Sequence, residues 1–340
     1  MPPMPRVVAV DPRAPDRDAI AEAVGVLRAG GLVALPTETV YGLGARALDA
    51  KAVARIFAAK GRPENHPLIL HVLDEESARR LAASWPERAS RVARALWPGP
   101  LTIVVDRAPG VPAAIAGGGD SIAVRSPSHS VTRAVIAALG EPVAAPSANR
   151  YQGLSPTTAA HVVAQLGDAV DLVLDAGACE EGIESTVVDV RGASARVLRP
   201  GAVGAAALRA VLPELEVEAR LERAAPGALR ASPGMGARHY APRARLVLVE
   251  SLESARSLAV ELAARGARVG LVVRERAGAV PASVLVRELP AGAGPYAHLL
   301  YRTLHDLDDA GVGAIVVHDV PSDETWSAVA DRLRRAAESA

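Results

Sequence analysis

Along residues 16–31, DRDAIAEAVGVLRAGG, apolar side chains recur at helical spacing, and Gly30–Gly31 supply a stop. LVAL (32–35) follows as a short, wholly apolar run that predicts a buried strand. Asp49 is placed to cap the next helix, which the pattern carries through Lys60. LILHV (68–72), LTIVV (101–105) and SIAVR (121–125) read as further strands, with two short helical stretches around 75–96. A helix near 129–139, a strand PVAA (142–145), a helix from SPTTAAHVVAQLG and the strands DLVLD, STVVDV and RVLR complete this region. Strands mixed with helices this often predict an α/β sheet domain. Some strands follow one another too closely for a crossover helix, so a mixed, twisted sheet is expected.

Between 212 and 241 the periodicity stops. PELEVEARLERAAPGALRASPGMGARHYAP is rich in Pro, Gly, Ala and charge, the composition of a linker. Beyond it, RLVLVE, a helix at 253–265, RVGLVV, a helix near 295–310, GAIVVH and a closing helix have the rhythm of a small Rossmann-like α/β domain. Its first strand is not followed by G-x-G-x-x-G, so no dinucleotide site is assigned to it. The expected organisation is a first domain over 1–211, a linker over 212–241 and a second domain over 242–340.

Composition narrows the function. Formal net charge is zero, so no global basic field points to a protein that coats long nucleic acid. No apolar run reaches the roughly 18 residues that span a bilayer, and the proline-broken start lacks the apolar core of a signal peptide. A lone cysteine, Cys179, fits a reducing compartment, and a cytoplasmic location is expected. Its loop, DAGACEEG, is acidic and should raise the thiol pKa, which gives Cys179 a structural reading. Of 38 basic residues only Lys51 and Lys60 are lysines. In so arginine-rich a chain, Lys60 marks a place for a compact, mobile ammonium; Lys51, at the start of the same helix, reads as an ordinary surface residue.

The candidate chemistry lies in loops of the first domain. PTETVYGLG (36–44) offers the hydroxyls of Thr37 and Thr39. KGRPENHP places Lys60 and Arg62 in the turn between a helix and a buried strand. APSANRYQGLSPTT brings Ser147, Asn149 and Ser155, GIESTVVDV brings Ser185 and Thr186, and Arg199 closes the strand before RPG. Taken one at a time these are ordinary turns. Together they set hydroxyls, amides and the cations Lys60, Arg62, Arg125 and Arg199 at strand ends, where α/β sheets bind ligands. Such a site suits a polyanion with a small polar partner. No G-x-x-x-x-G-K-[ST] loop is present, so a triphosphate would be held differently. His66 and His71 fall on opposite faces at odd spacing along a strand, which argues against a shared metal.

PTETVYGLG, KGRPENHPLILHV, LWPGPLTIVV, SIAVR, APSAN with SPTT, GIESTVVDV and VLRPG stand in the order found in the YrdC-like threonylcarbamoyl-AMP synthases. SPGMGARHYAP followed by a Rossmann-like unit resembles the longer, two-domain branch of that family. The resemblance implies a YrdC-like fold and a nucleotidyltransferase that makes threonylcarbamoyl-AMP from L-threonine, bicarbonate and ATP. The product would feed tRNA threonylcarbamoyladenosine modification through a downstream threonylcarbamoyl-transferase machinery. By motif position it implies Thr37, His71, Arg125, Ala145 (through backbone) and Ser185 as L-threonine contacts. It implies Arg62, His66, Ser121, Ser147, Asn149, Ser155, Arg199 and Tyr240 as ATP contacts. Lys60 and Arg62 become catalytic groups facing an oxyanion, magnesium rides on the phosphates, and the linker crosses the site as a lid. His66 stands where the family commonly has Asn. Alternative readings of the same fold are a double-stranded RNA binder, with direct tRNA contact left open, and a carbamoyltransferase-related protein.

Overall fold

The computed structural model describes residues 4–216 and 239–337, which fall into two compact units. The first runs to residue 216 except for Gln152–Leu154; those three residues and 239–337 make the second.

In the first unit, β1 (Arg6–Ala9), α1 (Arg17–Arg28), β2 (Val33–Leu35), β3 (Gly42–Arg46), α2 (Ala50–Lys60) and β4 (Ile69–His71) come first. Next are α3 (Glu75–Arg79), α4 (Glu87–Leu96), β5 (Leu101–Asp106), β6 (Ser121–Arg125), α5 (Ser130–Leu139) and β7 (Val143–Ala144). The unit continues with α6 (Ala159–Leu166), β8 (Leu172–Asp175), β9 (Thr186–Asp189), β10 (Arg196–Arg199) and α7 (Ala205–Val211). The strands form one sheet in the order β1-β8-β2-β3-β7-β4-β6-β5-β9-β10. It is mixed, as expected: β4 runs parallel to β6 and β5 to β9, while β4 opposes β7 and β5 opposes β6.

Local chemistry explains the helices that frame the site. Asp16 caps α1 by accepting from the N–H groups of Asp18 and Ala19, and the stripe Ala19, Ile20, Ala23, Val24, Leu27 is buried. Asp49 caps α2 in the same way, and Gly61, at φ +62°, ends it in the left-handed conformation. The buried face of α2 carries Val53, Ile56, Phe57 and, at its last position, Lys60. Helical spacing therefore delivers Lys60 inward, while Lys51 stays exposed.

Four elements differ from the sequence reading. β1 and α7 were not expected, β3 lies inside a segment read as a loop, and β13 (Val284–Glu288) in the second unit was also unforeseen. Residues 212–216 of the expected spacer pack on the first unit. Leu212 and Leu215 are buried in the first core, and Glu216 exchanges backbone hydrogen bonds with Ala195 and Val197. Residues 217–238 of the expected linker lie outside the described residues.

The second unit contains β11 (Arg245–Val249), α8 (Leu252–Ala264), β12 (Val269–Val273), β13, α9 (Ala293–Asp309), β14 (Ala314–His318) and α10 (Ser327–Ala337). Its sheet, β11-β14-β12-β13, is parallel throughout, in keeping with the βαβ rhythm. Among the described residues no helix is long and apolar enough to cross a membrane.

Candidate active site

Arg125 ends β6, and the parallel register places it beside His71 at the end of β4. Its three guanidinium nitrogens are all engaged: Nε with the Gly99 carbonyl at 3.4 Å, Nη1 with Thr39 Oγ1 at 2.9 Å, and Nη2 in an ion pair with Glu38 Oε1 at 2.8 Å. Thr39 Oγ1 in turn lies 2.9 Å from Thr37 Oγ1, and the Thr37 hydroxyl donates to the Val40 carbonyl. Thr37, His71 and Arg125, three of the implied amino-acid contacts, thus form one buried group. Burial, then the Arg125 charge, lowers the His71 pKa to about 3, so the imidazole is neutral at ordinary pH. Burial pushes the Glu38 carboxyl up, but the Arg125 charge and hydrogen bonds from Arg125 and the Ser128 N–H outweigh it. The net effect holds Glu38 below its ordinary value. Ala145 spends its N–H on the Ile69 carbonyl, so the implied backbone contact would fall to its carbonyl.

Ser185 sits just before β9. Its hydroxyl is 2.8 Å from Thr102 Oγ1 and accepts from Arg199 Nη2 at 3.0 Å, while its carbonyl accepts from Arg199 Nε and Nη2. An implied amino-acid contact and an implied ATP contact are therefore bonded directly. Gly201 makes room for this: a Cβ there would lie 2.4 Å from the Glu184 carbonyl oxygen. Ser155 donates to Glu184 Oε1 at 2.5 Å, a pair wholly buried in the same region.

The cations of the turn between α2 and β4 are held by backbone carbonyls. Lys60 Nζ donates to the carbonyls of Ser147 and Asn149 at 2.5 Å each, with Asn149 Oδ1 at 3.4 Å. The three ammonium protons thus all have protein acceptors, and Lys60 clamps the Ser147–Asn149 loop. Burial, then the Arg62 charge, pushes its pKa well below the ordinary lysine value. Arg62 Nη2 donates to the Pro67 carbonyl at 3.0 Å, and the His66 ring meets the edge of Tyr151. Gly117, at φ +60°, supports this loop: a Cβ there would lie 2.6 Å from the Asn65 carbonyl oxygen.

Ser121 opens β6 and Arg125 closes it, so at about 3.3 Å per residue they stand roughly 13 Å apart. The parallel register to β4 extends to put Ser121 level with Pro67, on the Arg62 side. The implied contacts thus fall towards both ends of β6, Arg125 at one and Ser121 at the other. Tyr240 belongs to the second unit, where its ring packs against Tyr301 and beneath the Arg332 guanidinium, 4.8 Å from the ring centre. It is buried and adopts φ +59°.

Three site residues escaped the sequence reading: Glu38, Thr102 and Glu184. Glu38 is the one charged residue of PTETVYGLG, and that isolation was its only signal. Cys179 is buried, and its thiol is pushed up by burial first, with the charge of Glu38 adding to it; the acidic loop counts for less. Among the described residues no group of three or more His, Cys, Asp or Glu side chains could hold a metal ion.

Comparison with known proteins shows the family. Residues 25–201 match a family model described as telomere recombination, and residues 203–338 match the threonylcarbamoyl-AMP synthase C-terminal domain. The chain is 39% identical over 319 residues to the threonylcarbamoyl-AMP synthase of Pyrococcus abyssi, covering 92% of each chain. It is 35% identical over 322 residues to that of Bacillus subtilis, covering 94% of this chain and 92% of the relative. The crystal structure of Pyrococcus abyssi Sua5 complexed with L-threonine superposes with a TM-score of 0.91 at 36% identity, covering 97% of both chains. A variant of that protein with alanine at a histidine and a tyrosine matches with the same TM-score at 35% identity, covering 98% and 96%. The chain belongs to the threonylcarbamoyl-AMP synthase family.

Proposed function

We propose that this chain joins L-threonine, bicarbonate and ATP into threonylcarbamoyl-AMP and releases pyrophosphate, for the threonylcarbamoyladenosine modification of tRNA. The observation that supports the reading is the bonded pair Arg199–Ser185, an implied ATP contact on an implied amino-acid contact, in a family that includes a threonine-bound structure.

In this reading Arg125, Thr37, His71, Ser185 and the Ala145 carbonyl receive L-threonine. The neutral His71 is suited to a hydrogen bond without adding charge. The threonine amine attacks the carbon of bicarbonate, and loss of water leaves a carbamate. A carbamate oxygen then attacks the α-phosphorus in line, and the bond to the β-phosphate oxygen breaks with pyrophosphate as leaving group. Arg62, His66, Ser121, Ser147, Asn149, Ser155, Arg199 and Tyr240 are the ATP contacts. The protein must hold two anions together against Coulomb repulsion, and crowded arginines supply the opposing charge. Lys60 contributes by fixing the loop that carries Ser147 and Asn149. With no carboxylate cage among the described residues, a magnesium ion would be held through the ATP phosphates and would supply charge neutralisation for the leaving pyrophosphate.

Residues 1–211 would form the catalytic domain, 242–340 the Rossmann-like domain, and the linker a lid that keeps water from the carbamate and its anhydride. The product passes to a tRNA threonylcarbamoyl-transferase machinery in the cytoplasm. The test is pyrophosphate release that requires both L-threonine and bicarbonate. RNA binding with no nucleotide turnover would replace this reading with the RNA-binding one.

A further inference from the structure

Glu38 belongs to neither implied contact set, yet it fastens three segments that carry members of the amino-acid half-site. Its own loop holds Thr37 through the Thr37–Thr39 hydroxyl contact. Its carboxylate Oε1 pairs with Arg125 Nη2 at 2.8 Å and accepts from the Ser128 N–H at 3.1 Å, which fixes the end of β6 and the turn after it. Its carbonyl accepts from the Glu181 N–H at 2.7 Å, four residues before Ser185. Both partners of the ion pair are almost fully buried, with side chains 4% and 3% exposed.

We propose that Glu38 is the positioning residue of the amino-acid half-site, aiming Arg125 at the substrate carboxylate and balancing its charge while the site is empty. A long guanidinium ending a strand could rotate among several rotamers. The three anchors, Gly99 O, Thr39 Oγ1 and Glu38 Oε1, select one, and only Glu38 carries the opposite charge. The same carboxylate keeps Arg125 from being a buried unpaired cation before the substrate arrives. Among the described residues its second oxygen, Oε2, is buried and accepts no hydrogen bond. The pair therefore presents a cation and an anion side by side, the pattern that matches a zwitterionic amino acid and disfavours a simple carboxylate.

This inference rests on the reading of the site as one for L-threonine, and the experiment separates the two. Calorimetric binding of L-threonine and steady-state kinetics are compared for wild type and Glu38→Gln, which keeps the shape and the Ser128 acceptor but removes the charge. Expected is a KM for L-threonine raised on the order of 30-fold or more, with the KM for ATP and kcat changed less than about threefold. Combining Glu38→Gln with Arg125→Lys should cost no more than Arg125→Lys alone, because the first acts through the second. A merely structural residue would instead lower the folded, active fraction and leave both KM values alone. Equal rises for both substrates, or an unchanged L-threonine affinity in a folded variant, would overturn the proposal. Where the glutamine variant does not fold, Glu38→Asp, which keeps the charge and shortens the reach, is read by the same split. Wild type that fails to bind L-threonine at all would refute the reading of the site itself.

Discussion

Arg199 grips Ser185 twice, donating to its carbonyl oxygen and, from Nη2 at 3.0 Å, to its hydroxyl. Arg199 ends β10 and Ser185 precedes β9, so the last antiparallel pair of the sheet closes on a side-chain bond inside the site. The same hydroxyl touches Thr102 on β5, which makes Ser185 the meeting point of three strands.

Arg199→Lys should weaken both substrates together. A lysine is a compact point charge without the planar fork, so it cannot match the paired Nε and Nη2 geometry with which Arg199 spans the carbonyl and hydroxyl of Ser185. The expected loss in kcat/KM is on the order of 10–100-fold for ATP and for L-threonine alike. Steady-state kinetics with each substrate varied in turn provide the check; a loss confined to one substrate would break the link between the half-sites.

Lys60→Met removes the donor that holds the Ser147 and Asn149 carbonyls while keeping the apolar stem. Turnover should fall by about 100-fold or more as the loop loses its fixed geometry. Lys60→Arg should also fall, since a guanidinium does not fit a socket where two carbonyls lie 2.5 Å from the ammonium. Lys51→Arg, on the exposed start of α2, should be nearly silent. Comparable, small effects at Lys60 and Lys51 would refute the clamp.

His71 makes stability depend on acid in a defined direction. Its folded pKa, about 3, lies below the unfolded value of about 6.5, so the unfolded chain binds the extra proton between them. Its contribution is full above about pH 6.5 and is lost as pH falls toward 3, on the order of 2 kcal/mol between pH 7 and pH 5. Glu38, held below its ordinary value, adds a loss in the same direction only at lower pH. Urea unfolding at several pH values should show this slope, and His71→Asn should flatten it. An unchanged slope in the variant would assign the effect elsewhere.

The first unit should stand alone if it is cut in the right place. Leu208, Leu212 and Leu215 are buried in its core, so a chain ending after residue 216 keeps them and one ending after 210 loses two. The longer fragment should fold and bind L-threonine; the shorter should be less stable by several kcal/mol, given about 2–5 kcal/mol for each buried leucine truncated. Both should make little threonylcarbamoyl-AMP, because Tyr240 lies in the second unit. Full activity of the longer fragment would remove Tyr240 and the linker from the mechanism.

How much of this was legible varied with local physics. β4 and β6 are buried along their length, so they read as apolar runs that end on the candidate site residues His71 and Arg125. β1 is mostly exposed and follows a proline-rich start, which left no burial signal. β3, GLGAR, looked like a turn because glycines dominate it, though close packing on the neighbouring strand β2 is the reason for Gly44. Motif order nominated the contact residues, but not the protein groups they would meet. That Lys60 would face carbonyls, and that Glu38 would pair with Arg125, depends on chain segments distant in sequence meeting in the sheet. No local pattern encodes such meetings. Tyr240 shows the same limit, since its stacking on Tyr301 and Arg332 is a tertiary fact.

The most direct test of the account follows the atoms. The protein is incubated with ATP, L-threonine, magnesium and isotopically labelled bicarbonate, and the products are separated and weighed by mass spectrometry. The account predicts pyrophosphate and threonylcarbamoyl-AMP that carries the bicarbonate label, with neither formed when L-threonine is omitted. Formation of ADP and phosphate, or of an adenylated threonine without the label, would contradict it.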